Sequence, residues 1–212
     1  MRKPNLFIVG EPKCGTTSLH SMLTQHPELF MSEKKELGYF GMNWDLMTEQ
    51  MYMNHYKDVK DEKYIGDSSP FYARGKWSAE RIKEFNPHAK IIFFYRNTFD
   101  WIVSYHKQML RNPGHDVPLS TLKAIKYFGN DVNFLAHFHK YYDLFPKKNI
   151  MLIPYEDFKE HPYEVLTKMF RWLGIDTTFK PTMKKLNVTP KHHLIYYIYN
   201  KLPMVIKNAT TR

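Results

Sequence analysis

Cysteine is almost absent: Cys14 is the one thiol in 212 residues. That excludes an internal disulfide and suits a reducing compartment. Long apolar runs are absent too. After Met1-Arg2-Lys3 the first apolar run, Leu6 to Val9, ends at Gly10, so neither a signal peptide nor a membrane anchor is expected. The expectation is a soluble, cytoplasmic protein. Repeats and low-complexity tracts are missing, and no stretch reads as an interdomain linker. The chain therefore reads as one domain over 1–212, with 176–212 as a basic closing segment. Acidic charge is in short supply: 31 Lys and Arg against 21 Asp and Glu leave a net charge of +10. This favours anionic partners (a nucleotide, a sulfated or phosphorylated acceptor, nucleic acid, a membrane surface) without choosing among them. The hydrophobic fraction of 43% and aromatic fraction of 16% are those of a packed domain, not a disordered chain.

A further absence lies in Gly10-Glu11-Pro12-Lys13-Cys14-Gly15-Thr16-Thr17. The spacing is that of a phosphate-binding loop. In a nucleotide-hydrolysing loop, however, Lys directly follows the second Gly and reaches the β- and γ-phosphates. Here Thr16 fills that slot and Lys13 sits inside the loop. Leu6 to Val9 reads as a buried strand, and Thr16 to Gln25 reads as a helix with Leu19, Met22 and Leu23 on one side. A strand, a Gly-bounded turn and a helix N-terminus converge backbone N–H groups and a helix dipole on one point. The loop is expected to hold a phosphate other than the γ-phosphate of ATP.

Apolar runs alternate with helical patterns along the chain. The spacing predicts strands at 6–9, 63–66, 90–95 and 149–154, and helices at 16–26, 43–56, 78–86, 98–111, 131–144 and 161–173. Ser78 reads as the start signal of the third helix, and Asn86-Pro87 as its stop. Strands of this kind separated by helices predict an α/β fold: a mainly parallel central sheet flanked by helices in three layers. Ligands on such sheets bind beyond the carboxyl ends of the strands.

Strand 90–95 ends in Arg96-Asn97, where a metal-dependent kinase or ATPase would carry an Asp for Mg²⁺. The following helix carries Trp101, Ser104 and Tyr105. Arg96 at a strand end, with Ser104 two turns on, can clamp a second phosphate through charge-assisted hydrogen bonds.

Together these residues resemble the sulfotransferases that use 3′-phosphoadenosine-5′-phosphosulfate (PAPS). The family's P-K-[SAGC]-G-T-T-[SA]-L loop is matched by Pro12-Lys13-Cys14-Gly15-Thr16-Thr17-Ser18-Leu19. Its R-N-P strand end followed by a helix with S-Y is matched by Arg96-Asn97-Thr98 and Ser104-Tyr105, with Thr98 in place of the usual Pro. The resemblance covers residues 4–175. It implies a fold like that of the P-loop nucleotide hydrolases, PAPS as sulfuryl donor and no required metal. It also implies that Lys13, Cys14, Gly15, Thr16, Thr17 and Ser18 hold the 5′-phosphosulfate, while Arg96 and Ser104 hold the 3′-phosphate. Lys13 would neutralise charge on the bridging oxygen as the nucleotide leaves.

Transfer needs a base for the acceptor's proton. Lys35-Glu36-Leu37-Gly38-Tyr39-Phe40 resembles the K-E-x-x-[FY]-F stretch of the carbohydrate and bacterial branch, which implies Glu36 as base and Lys35 as a neighbour of the phosphosulfate. His55, His106 and His115 are the competing bases on the pattern of the branch acting on phenols and steroids, but none sits in a matching segment. Gly66-Asp67-Ser68-Ser69-Pro70-Phe71-Tyr72 resembles the G-E-[KA]-[ST]-P-x-Y element bordering the active site. Ser68 stands where relatives acting on heparan-type glycans often have Lys, which weakens the case for a glycosaminoglycan acceptor. Asp67 either orients the acceptor or the phosphate loop, or caps a turn. Trp44, Trp77 and Trp101 are candidates for stacking on adenine or sugar.

The family closes its nucleotide site with a basic loop near the C-terminus. Lys184 to Lys191 is the candidate segment, with Lys191 or Lys185 as the contact. The acceptor is expected to be a carbohydrate or small metabolite, recognised by loops 41–62 and 112–130; no nucleic acid is expected, and the oligomeric state is open. The rivals are a small-molecule or nucleotide kinase with a degenerate loop, a nucleic-acid-binding module, and an inactive relative that only binds nucleotide. The kinase lacks its loop Lys and metal-holding Asp, and the nucleic-acid reading lacks a motif or a basic stripe.

Overall fold

The computed structural model describes residues 1–109 and 133–183. Residues 1–97 and 133–183 belong to one compact unit, and helix 98–109 belongs to a second.

The first unit is built on five parallel strands: β1 (Leu6–Gly10), β2 (Leu29–Met31), β3 (Tyr64–Ser68), β4 (Lys90–Tyr95) and β5 (Ile150–Pro154), in the order β2-β3-β1-β4-β5. Its helices among the described residues are α1 (Thr16–Leu23), α2 (Glu49–Met53), α3 (Ser78–Phe85), α5 (Phe134–Leu144), α6 (Tyr155–Glu160) and α7 (Pro162–Leu173); α4 (Thr98–Met109) is the described helix of the second unit. The expected three-layer α/β architecture is the one observed. β1 lies at the centre, bonded to β3 on one side and β4 on the other.

The pleat divides the central strands between two faces. Phe7, Val9, Ile91 and Phe93 enter a core shared with Ala79 and Ile82 of α3, Tyr141 of α5 and the 37–56 segment. The intervening Leu6, Ile8, Ile92 and Phe94 are equally buried. Phe94 meets Phe158 of α6 edge to face, ring centroids 5.5 Å apart. Burying each such side chain contributes about 1.5–3 kcal/mol. This is why the strands read as unbroken apolar runs.

Three local differences from the sequence reading have physical causes. β2 is only three residues long, too short for a periodic signal, and exists because it pairs with β3 through Leu29↔Tyr64 to Met31↔Gly66. The 43–56 pattern yields helix only over α2 and a 3₁₀ turn at Asn54–Tyr56, with Thr48 capping α2 by accepting from the Met51 N–H at 3.2 Å. Ser78 does not cap α3. It is the first helical residue, Trp77 holds the cap position, and the Ser78 hydroxyl is buried against Gly75 and Gly41. Among the described residues, no helix is long and apolar enough to cross a membrane.

Candidate functional site

Three strands of the first unit deliver candidate residues to the same, carboxyl edge of the sheet. β1 ends at Gly10, whose φ of 127° lies in the left-handed half of backbone space; a Cβ there would stand 2.4 Å from the Phe94 carbonyl oxygen of β4. Only glycine lets the two strands approach so closely as the chain turns into the loop. Within the loop, Lys13 (φ 66°) and Gly15 (φ 85°) are both left-handed. Such a conformation is uncommon for a lysine. Alternating it with ordinary residues turns successive N–H groups inward, the geometry of an anion nest. Gly15 precedes α1 as its N-terminal flanking residue, no side chain caps the helix, and its first turn holds no acidic residue. The loop and helix start therefore present backbone N–H groups of Thr16, Thr17 and Ser18 with no competing carboxylate on the same turn.

Cys14 is fully buried within the loop. Burial, reinforced by the Glu11 carboxylate, pushes its thiol well above the ordinary range. It packs as an apolar residue and is not a nucleophile.

β4 delivers Arg96, whose Nη1 donates to the Lys13 carbonyl at 3.1 Å. The guanidinium lies over the Tyr155 ring, 4.4 Å from its centroid. That same tyrosine ring would stand 3.1 Å from a Cβ at Gly15. Arg96, Tyr155 and the loop thus form one packed assembly. The Arg96 Nε is buried and has no hydrogen-bond partner among the described residues.

β2 delivers Glu36 by continuing past its last strand residue alongside β3. The Ser32 N–H donates to the Gly66 carbonyl at 3.3 Å, and the Glu36 N–H donates to the Ser68 carbonyl at 3.0 Å. β1 is the next strand beyond β3, so Glu36 stands about 10 Å, two strand spacings, from the line of β1. Glu36 is itself left-handed (φ 62°), and its exposed carboxylate meets the Lys35 ammonium at 2.5 Å. Two residues that the sequence marks for catalysis, Lys13 and Glu36, are therefore the non-glycine residues with positive φ among the described residues. Such backbone is retained where the surroundings over-determine it, and it clusters at functional sites.

A buried hub fixes the segment that follows Glu36. Asp67 is fully buried and accepts from Tyr52 (3.0 Å), Tyr72 (2.9 Å) and Ser69 (2.7 Å). Burial raises its carboxyl above the usual carboxylate range, and the three hydroxyls work in the opposite direction. Ser69 Oγ and Tyr72 Oη in turn accept from the N–H groups of Gly38 (3.4 Å) and Phe40 (3.3 Å). Asp67 thus ties β3 to the loop carrying Glu36 and does more than cap a turn.

The remaining candidates separate. Ser104 lies on α4 in the second unit, as does His106, which is buried. Trp101 is buried there and stacks on Tyr105 at 4.8 Å. Trp44 packs beside Tyr39, with Arg81 over its ring, whereas Trp77 is half exposed. His55 lies in the 3₁₀ turn after α2. His115, Lys185, Lys191 and the 112–130 loop lie outside the described residues. Sequence reasoning missed Glu11, Arg74, His137 and Tyr155, which all shape the loop. No motif spacing links them, because their contacts span 63, 126 and more residues.

Comparison with known proteins gives the family. The family model described as a sulfotransferase domain matches residues 3–205. A membrane-associated sulfotransferase of Dictyostelium discoideum, kil1, is 31% identical over 110 residues, 49% of this chain and 22% of that protein. The bifunctional heparan sulfate N-deacetylase/N-sulfotransferase 1 of Caenorhabditis briggsae is 22% identical over 200 residues, 81% of this chain and 23% of that protein. The chain thus spans less than a quarter of the length of these curated relatives. A solved sulfotransferase from Alicyclobacillus acidocaldarius has a TM-score of 0.77 at 25% identity and covers 99% of this chain and 96% of its own. Mouse sulfotransferase SULT7A1, solved in complex with PAP, shares the fold at a TM-score of 0.59 and 17% identity, covering 94% of this chain and 65% of its own. With the family match running through nearly all of the sequence, the chain belongs to the sulfotransferase domain family.

Proposed function

We propose that the chain moves the sulfuryl group of PAPS to a hydroxyl or amine of an acceptor, with Glu36 as the base. The observation that carries this reading is the Arg96–Lys13 hydrogen bond, which joins the two nucleotide motifs at the sheet edge to which β2 also brings Glu36. In this mechanism Glu36 takes the acceptor's proton as the acceptor oxygen or nitrogen bonds to sulfur. The bond from sulfur to the 5′-phosphate oxygen breaks in line, and its electron pair leaves with adenosine 3′,5′-bisphosphate. Lys13 and the N–H groups of residues 14–18 stabilise the charge gathering on that oxygen, while Arg96 and Ser104 select the 3′-phosphate. The Lys35 ammonium stands beside the Glu36 carboxylate at 2.5 Å. A carbohydrate or small metabolite is the proposed acceptor class, in keeping with relatives named for heparan sulfate and carbohydrate sulfation.

The test is thermal unfolding with adenosine 3′,5′-bisphosphate, and separately with ATP and Mg²⁺, each with and without chelator. Ligand at a hundred times its dissociation constant adds about 2.7 kcal/mol of stability. A bisphosphate shift that survives chelator supports the reading. A shift with ATP and Mg²⁺ alone overturns it in favour of a kinase.

A further inference from the structure

The second residue of the phosphate loop is a fully buried carboxylate. Glu11 accepts at Oε2 from Arg74 Nε at 2.8 Å and pairs at Oε1 with His137 Nδ1 at 2.6 Å. Its own N–H donates to the Phe94 carbonyl at 3.1 Å. Burying a charge next to a site for a dianionic ligand is doubly unfavourable: it loses hydration and it repels the ligand. Two features answer that cost. Both carboxylate oxygens are engaged, and the partners arrive from two separate elements: Arg74 from the end of the Pro70–Ala73 turn and His137 from the first half of α5. These elements are themselves joined, since Tyr141 of α5 donates to the Tyr72 carbonyl at 2.9 Å. The loop main chain is thereby fastened to β4, to the turn after β3 and to α5, while Arg96 holds the carbonyl of Lys13 two residues further on.

We infer that Glu11 is a positioning residue for the donor nucleotide: its carboxylate, gripped by Arg74 and His137, sets the loop conformation in which Lys13 is left-handed and the loop N–H groups face one anion. The inference rests on the sulfotransferase reading and adds to it residues outside both nucleotide motifs. It separates from two simpler roles. If Glu11 were only a neighbouring charge, removing it would tighten anion binding. If the cluster only stabilised the fold, the melting temperature would fall while the nucleotide affinity of the folded protein stayed the same.

The experiment measures adenosine 3′,5′-bisphosphate affinity by calorimetry, donor KM and kcat, and Tm, for the full chain and for Glu11→Ala, His137→Leu and His137→Gln. His137→Leu removes one grip from the carboxylate at a partly exposed site and is the variant to use if Glu11→Ala fails to fold. The expected result is bisphosphate Kd and donor KM raised about tenfold in Glu11→Ala and about fivefold in His137→Leu, each the loss of roughly one charge-assisted hydrogen bond's effect on the loop. In both, kcat stays within about twofold, and His137→Gln, which can still donate to Glu11, recovers most of the affinity. Unchanged or tighter binding in folded Glu11→Ala or His137→Leu overturns the inference, as does a His137→Gln variant no better than His137→Leu. Wild-type protein that does not bind the bisphosphate overturns the sulfotransferase reading itself, a distinguishable failure.

Discussion

Arg96 donates to the backbone carbonyl of Lys13 at 3.1 Å, across 83 residues of sequence. The arginine expected to hold a 3′-phosphate therefore also braces the loop expected to hold the 5′ end. Its second anchor is the Tyr155 ring, and its buried Nε has no hydrogen-bond partner among the described residues.

That double role predicts that Arg96→Ala weakens adenosine 3′,5′-bisphosphate by about 2 kcal/mol, roughly thirtyfold. Arg96→Lys recovers little, because an ammonium cannot stack on Tyr155 and donate to Lys13 in the same fork geometry. Calorimetric titration of both variants decides it; wild-type affinity in Arg96→Ala would move the 3′-phosphate site elsewhere.

Glu36→Gln removes the proton acceptor and the charge partner of Lys35 while leaving the backbone bond to Ser68 in place. Bisphosphate affinity is expected to stay within about twofold, and turnover to fall by about 10²–10⁴, the range for loss of a general base. Turnover close to wild type in a sulfate-transfer assay would remove Glu36 from the mechanism.

Asp67→Asn leaves one acceptor oxygen where three hydroxyl groups now converge on two. The expected cost is about 1–3 kcal/mol, or roughly 2–12 °C in Tm for a chain of this size. Turnover should fall as well, since Gly38 and Phe40 hang from the same network. An unchanged Tm in differential scanning calorimetry would show that the hydroxyls find other partners.

His20 supplies a pH dependence. Burial, aided by the Lys35 charge, pushes its imidazole down from the ordinary 6.5 to about 4, against a hydrogen bond with the Ser32 backbone. The unfolded chain thus takes up a proton near pH 6.5 that the folded chain refuses until about pH 4. The stability His20 confers is complete above pH 6.5 and is lost as pH falls from there to about 4, with a slope approaching 1.4 kcal/mol per pH unit. Urea unfolding between neutral and mildly acid pH should show a flatter profile for His20→Leu than for wild type. Parallel profiles would remove His20 as the source.

Gly10→Ala places a methyl group against the Phe94 backbone, which cannot move aside as a side chain can, at a φ that alanine rarely adopts. Loss of about 3 kcal/mol or more is expected, with reduced bisphosphate binding in whatever folds. A Tm within a degree or two of wild type would show that the β1–β4 approach is not rigid.

The architecture was largely legible in the sequence because its causes are local. Continuous apolar runs such as Leu6–Val9 and Ile91–Phe94 are buried on both faces in a covered parallel sheet, and the Gly10-to-Gly15 spacing announces its own turn. The loop spacing and a strand end then pointed to Lys13 and Arg96, and the resemblance of Lys35–Phe40 to a family stretch pointed to Glu36. What the sequence could not reveal was how those residues are held. β2 is a strand only because β3 lies beside it. The grip of Arg74 and His137 on Glu11 joins groups 63 and 126 residues apart, and the three hydroxyls on Asp67 come from a turn and a helix on either side of β3. Periodicity records which face of an element is buried; it carries no record of which polar group will be met there. By itself the sequence determined the fold class and the family. The tertiary structure decided which buried polar partners fix the geometry of that chemistry, because an unpaired group in the interior is costly and its partner can come from any element that packs within reach.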